Sequence, residues 1–385
     1  TAIKELLKDR TKQKQRAGSF AVEMLGKRLL SCPTAFAESW RRCKMGMAGG
    51  DAASEGEVDA ARKSLEQDTA DDRETSVRAV TASGVVGSWM KSVAEDLAAE
   101  IAAIDRAVAS LGFDVSLDTI AQQDPKHDAR FTALCRMIDT QLRNGDAWRD
   151  DERLVVFTEY KTTLDYLLRR LRERYDPERI ITLFGGMDER DRDVMKATFN
   201  DGAAPVRMLV ATDAAAEGLN LQKHARFLLH FDCPWNPSKL EQRNGRIDRH
   251  GQPRDVTIHH FVSDQDQDLK FLARLLTKAN DIREDLGSAN ELFDEAAHRR
   301  LVDGERVETV VSDLDRQVTT AKGRAAIDAD NTTLPDEGNG ASEQVKALAA
   351  ELDLDGPAMR ATLETAMAVQ APRPLLECSE KAHTC

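Results

Sequence analysis

At 385 residues, 41% hydrophobic and 31% charged, the chain is long enough for more than one domain and for at least one large core. A net charge of -13 excludes a generally basic nucleic-acid coat but leaves room for a local basic groove. No run approaches a membrane span and no signal-peptide pattern appears. Cys32, Cys43, Cys135, Cys233, Cys378 and Cys385 are scattered without a CxxC pair, so reduced thiols in a cytoplasmic protein are expected, with no metal site.

The first residue is Thr, which leads us to expect part of a longer product. Residues 1–150 read as a helical region. Ile3, Leu6 and Leu7, then Phe20, Met24, Leu25 and Leu29, recur at helical spacing. Cys32-Pro33 breaks the pattern, with Ser31 or Thr34 as the expected cap of the next helix. Residues 46–76 are acidic and rich in Gly, Ala and Ser, the composition of a flexible insert. Helical periodicity returns over 85–111. It returns again where Phe131, Leu134, Cys135, Ile138 and Leu142 share a face, and Asn144-Gly145-Asp146 stops it.

From Arg153 the character changes. Short apolar runs at 154–158, 179–183, 206–211, 227–231 and 256–262 alternate with amphipathic helices at 162–175, 188–200 and 237–249, the pattern of an α/β fold with a parallel sheet and helices on both faces. This lobe occupies 151–263. Acidic helices are expected to about 285, a helix at 289–301, and a less regular stretch to 322, together a helical extension over 264–330. A linker follows at 331–340, then short helices at 342–352 and 357–368 and an unpatterned tail.

The chemistry gathers between Val206 and Gln252. Gln242, Arg246 and Arg249 stand at i, i+4 and i+7, so a helix through them points all three to one side. Arginine's planar fork matches phosphate oxygens, and Gly245 between them would let another backbone approach. From Lys239 to Arg254 five basic residues face two acidic ones, against the sign of the whole chain. The strand ending at Thr212-Asp213 opens a polar loop through Glu217-Gly218 at what would be the carboxyl edge of the sheet. There Thr212 suits a nucleic-acid phosphate, and Asp213 a ribose hydroxyl or an arginine partner. Trp235 suits stacking on a base or anchoring its own loop, and Lys223, His224 and Arg226 suit phosphate contact or plain solvated surface. His259 and His260 are adjacent on a strand and point to opposite faces, so they cannot chelate as a pair.

The stretches VVFTEYKTTLDYLLRRL (155–171), LVATDAAAEGLNLQ (209–222) and EQRNGRIDRHGQ (241–252) resemble motifs IV, V and VI of superfamily-two helicases. Gln242, Gly245, Arg246 and Arg249 meet the pattern Q-x-x-G-R-x-x-R. The run FDCPWNP (231–237) before motif VI, with Gly251-Gln252 after it, is similar to the Swi/Snf-type ATPases, particularly the bacterial RNA-polymerase-associated ATPases and the helicase subunits of DISARM-type phage-defence islands. The match is specific over about 110 residues and weak in the flanks.

This resemblance implies a RecA-like C-terminal lobe that closes over ATP bound by an N-terminal RecA-like lobe. Arg246 and Arg249 act as arginine fingers, Gln242 stands beside them, and Asp213, Glu217, Gly218 and Gly245 border the nucleotide. Thr158, Gly185, Thr212 and Asn220 then follow one nucleic-acid strand. Double-stranded DNA is the expected track, with RNA the alternative, and RNA polymerase or defence-complex subunits are the expected partners; no membrane is involved. The chain has no G-x-x-x-x-G-K-[ST] and no acidic box, so Mg²⁺ is assigned to the other lobe and no ATP hydrolysis is expected from this chain alone. A reading from a different class is a stand-alone, non-catalytic module that binds nucleic acid or protein.

Overall fold

Apolar runs of four or five residues flanked by turn formers are what a doubly covered parallel sheet requires, and the computed structural model contains one. It describes residues 2–67, 69–216, 219–235, 237–262, 268, 270–272, 274–275 and 290–331. Thr1–Lys322 make one compact unit and Gly323–Cys385 a second, of which residues 323–331 are helical.

Within the first unit, a hairpin of β1 (Arg143–Asn144) and β2 (Ala147–Trp148) turns on Gly145, whose φ of 61° favours glycine. Then come β3 (Leu154–Thr158), β4 (Ile180–Leu183), β5 (Met208–Thr212), β6 (Phe227–His230) and β7 (Thr257–His260). They pair in the order β4-β5-β3-β6-β7, all parallel. Each expected strand is present, trimmed by up to two residues at its ends or extended by one.

Alternation along the strands divides the core in two. Leu154, Val156, Met208, Val210, Phe227 and Leu229 face one way. They pack against Leu164, Leu167 and Leu171 of α8 (Lys161–Arg174) and Phe131, Leu134 and Ile138 of α7 (Ala129–Gln141). Val155, Phe157, Leu209, Ala211 and Leu228 face the other way, onto Phe199 of α9 (Glu189–Asn200), Leu221 and Ile247. With a fully buried Leu, Val or Phe stabilising by roughly 1.5–3 kcal/mol, β3 is apolar at its first four positions, and all five of its residues are buried, Thr158 included. Arg226, at the entry to β6, pairs with Glu152 and is thereby a structural residue.

The N-terminal region contains α1 (Ala2–Leu7), α2 (Lys12–Ser31), α3 (Pro33–Ala48), α4 (Glu55–Glu66), α5 (Asp72–Met90) and α6 (Ala98–Ser110). Two expectations change here. Cys32, not Ser31 or Thr34, caps α3: its Sγ accepts from Ala35 N–H and Pro33 takes the first helical position, while Ser31 ends α2 and Thr34 lies inside α3. And 46–76 contains α4, which starts on a reciprocal Ser54–Glu57 capping box and buries Val58. The first residue of the stretch, Gly46, serves close packing, as does Gly87 beyond it. A Cβ at Gly87 would strike the Cys43 carbonyl, and one at Gly46 the Gly84 carbonyl, so α3 and α5 cross with their backbones in contact.

After the sheet, Phe271, Leu272 and Leu275 pack with Phe293 of the helix Asn290–Ala297, which continues in a wider turn to Val302. The rest of the expected acidic helices lies outside the described residues. The stretch read as less regular is instead the helix Val307–Asn331, where Val310, Leu314 and Val318 share one buried face. Beyond Asn331, the expected linker, the two short helices and the tail lie outside the described residues, as do Cys378 and Cys385. No helix among the described residues is long and apolar enough to cross a membrane.

Candidate functional site

Register brings the carboxyl ends of the central strands together. Thr158 of β3 pairs with Thr212 of β5, and the Phe231 amide continues the ladder to Phe157 O, which sets Asp232 beside both strands.

Asp232 is buried and collects donors from three segments. Its Oδ2 accepts from Ser31 Oγ and Thr158 Oγ1, both at 2.6 Å, and its Oδ1 from Glu159 N–H at 2.8 Å. Burial pushes its pKa up, and Arg243 and the two hydroxyls pull against that. Arg243, 1% exposed, binds Asp213 at two points, Nε to Oδ1 at 2.5 Å and Nη2 to Oδ2 at 2.9 Å, and donates through Nη1 to Asp232 O at 2.9 Å. Burial disfavours its charge, and the two carboxylates outweigh that. His230 Nδ1 lies 3.5 Å from Arg243 Nη1, and Nε2 lies 2.9 Å from Asn244 Oδ1. Arginine only donates, which assigns the acceptor role to Nδ1 and the proton to Nε2. Burial, then the neighbouring arginine, push the His230 pKa down to about 3.

A second cluster forms where β4 and β5 end. Asp72 Oδ2 accepts from Thr212 Oγ1 and from Gly185 N–H, each at 2.5 Å, and the Asp72 N–H returns a bond to Gly185 O at 3.2 Å. Gly186 holds φ at 80°, and a Cβ there would strike the Asp71 carboxylate. Thr158 and Thr212 are both fully buried with their hydroxyls turned to these carboxylates.

Gln242, Arg246 and Arg249 do not share one helix. The helix α10 spans Pro237–Asn244, after which the chain tightens into turns, with Arg246 N–H bonding Arg243 O, Ile247 N–H bonding Asn244 O, and the Arg246 carbonyl accepting the Leu221 amide at 3.0 Å. Among the described residues no other segment's backbone lies against Gly245, and the nearest atoms to a Cβ there are the carbonyl oxygens of Glu241 and Gln242. Gln242 is exposed on the helix, while Arg246 and the exposed Arg249 lie in the turns after it. Arg249 Nη1 donates to Asn220 Oδ1 at 2.8 Å, and Gln252 Nε2 to Ala225 O and Ile247 O at 3.0 Å each. Three bonded pairs thus join the arginine turn to the loop after β5. Glu217 and Gly218 lie outside the described residues. Trp235 anchors its loop, packed on the Phe271–Phe293 cluster with Lys27 Nζ 4.9 Å from its ring.

The sequence reading passed over Asp72, His230, Asp232 and Arg243. Asp232 and Arg243 stand inside quoted motifs, and an acid at the end of the apolar run 227–231 is the signal that pointed to a buried charge.

The helicase conserved C-terminal domain family matches residues 129–251. The ATP-dependent helicase YqhH of Bacillus subtilis is 33% identical over 143 residues, 37% of this chain and 25% of that protein. The RNA polymerase-associated protein RapA of Vibrio campbellii is 34% identical over 142 residues, 37% of this chain and 14% of that protein. The matched part thus spans a quarter or less of the length of these two relatives. The crystal structure of the C-terminal part of the Fun30 ATPase domain is similar over 53% of this chain and 64% of that one, with a TM-score of 0.34 and 18% identity. The chain thus carries a RecA-like helicase C-terminal lobe, a five-stranded parallel sheet covered on both faces whose residues 129–251 match the helicase conserved C-terminal domain.

Proposed function

We propose that this lobe is half of an ATP-driven translocase on double-stranded DNA, closing over ATP and Mg²⁺ held by a first RecA-like lobe. Arg246 and Arg249 meet the transferred phosphoryl group, with Gln242 beside them, and Asp213 and Gly245 support that edge. Thr158, Gly185, Thr212 and Asn220 lie along the path of one nucleic-acid strand, and RNA polymerase is the partner that the name of the RapA relatives points to.

The supporting observation is the division of labour among neighbouring arginines. Arg243 is spent on Asp213 and Asp232, whereas Arg249 stands in solvent on a turn fixed to the loop after β5. A guanidinium in that setting suits phosphate oxygens and contributes to the transition state rather than to the fold.

The test is DNA-stimulated ATP turnover in the complete enzyme containing this lobe. Arg249→Ala is expected to lower turnover on the order of 10³-fold while melting like the parent. Unchanged turnover in a folded variant would remove the arginine-finger role. Comparing stimulation by duplex DNA and by RNA identifies the track.

A further inference from the structure

The pair of donors at the end of β4 and β5 is already filled from within the chain. Gly185 N–H and the Thr212 hydroxyl converge on one oxygen of Asp72, which is what two donors do around a phosphate oxygen. The fit extends beyond the two bonds. Gly185 needs no positive φ, yet any side chain there would strike the Ala70 carbonyl, and one at Gly186 would strike Asp71. Residues 70–72 therefore sit directly on the Gly185-Gly186 turn. Asp71 also caps α5 through Arg73 N–H at 2.8 Å, so the step is continuous with that helix. Burying Asp72 has a cost: loss of solvent disfavours its charge and Asp213 adds a like charge nearby, while Lys161 pulls the other way.

We propose that Ala70–Asp72 is an internal latch: its carboxylate occupies a phosphate cradle made by Gly185 N–H and Thr212 Oγ1, and a nucleic-acid backbone phosphate binds there by displacing it. This rests on the reading above that Gly185 and Thr212 follow a nucleic-acid strand. It adds that the described arrangement is the closed form of that contact.

The test uses the 385-residue chain and a 30-base-pair duplex, with affinity read by fluorescence anisotropy across a salt series. Asp72→Asn removes the competing charge and is expected to tighten binding on the order of tenfold, since one charge-assisted contact is released to the ligand. The slope of log affinity against log salt should stay that of the parent, because Gly185 N–H and the Thr212 hydroxyl are neutral donors that bring no added cation to the phosphate. Adding Thr212→Val should erase the gain. Amide exchange on the unmodified chain gives a readout that needs no variant: duplex should raise exchange at Asp72 N–H, whose bond to Gly185 O is lost on release. Inorganic phosphate at matched ionic strength should not. If the duplex binds the parent and Asp72→Asn equally, with exchange at Asp72 unmoved, the latch is overturned and the strand-following reading stands. If neither form binds duplex, that reading fails and the latch falls with it. Displacement by inorganic phosphate alone assigns the cradle to a free anion and also overturns the latch.

Discussion

Arg243 and Asp213 meet as a two-point ion pair across the end of β5, with the arginine 1% exposed and the aspartate side chain 20% exposed. The arginine also neutralises Asp232, which is buried deeper. Arg243→Ala is expected to destabilise the lobe by about 3–5 kcal/mol, because it strands a buried carboxylate and does not simply delete a bond. Urea denaturation checks this. Arg243→Lys keeps the charge but loses the fork and should recover only part of the loss.

His230 provides a pH dependence with a definite sign. Its folded-state pKa, about 3, lies below the ordinary 6.5, so the unfolded chain binds a proton in this window that the folded chain refuses. The stabilisation is complete above 6.5 and is lost as pH falls toward 3, at up to about 1.4 kcal/mol per pH unit. His230→Gln removes the titration, and its stability should depend less on pH between 6.5 and 5 than the parent's. Parallel pH profiles from denaturant titrations would count against the assignment.

Ser31, like Asp72, is a point at which the N-terminal helices enter the hydrogen bonding of the lobe. Its Oγ donates to Asp232 and lies 2.6 Å from Thr163 Oγ1. Ser31→Ala should cost roughly 1–3 kcal/mol, the range for removing a buried bond to a charged group. Amide exchange would show faster opening at the end of α2, with the β3 to β5 ladder protected as before.

Gly87→Ala tests the crossing of α3 and α5. The added methyl has backbone, not a mobile side chain, in its way at Cys43. Expected destabilisation is about 1–3 kcal/mol or more, against the slight gain an alanine brings to an open helix. A melting temperature equal to or above the parent's would show that the helices separate freely.

The sheet was legible because each strand is an apolar run closed by turn residues, a purely local signal. So was the chemistry of Asp213, for which an arginine partner was one of two readings. The end of the arginine helix was not legible, because the turns that follow it are tied by a bond from Leu221, 25 residues before Arg246 in the chain. Asp72 was hidden more thoroughly. It sits in a stretch whose composition reads as flexible, and its partners Gly185 and Thr212 lie 113 and 140 residues away. Gly46, at the start of that stretch, misled for a related reason: glycine looks the same in a sequence whether it loosens a loop or lets two helices touch.

The stitching of the arginine turn to the loop after β5 gives the lobe a mechanical property. Leu221 to Arg246, Asn220 to Arg249 and Ala225 to Gln252 are three fastenings between two short segments. A pull on the Arg249 guanidinium is a pull on Asn220, and strain entering along that loop arrives at the arginines through these three bonds.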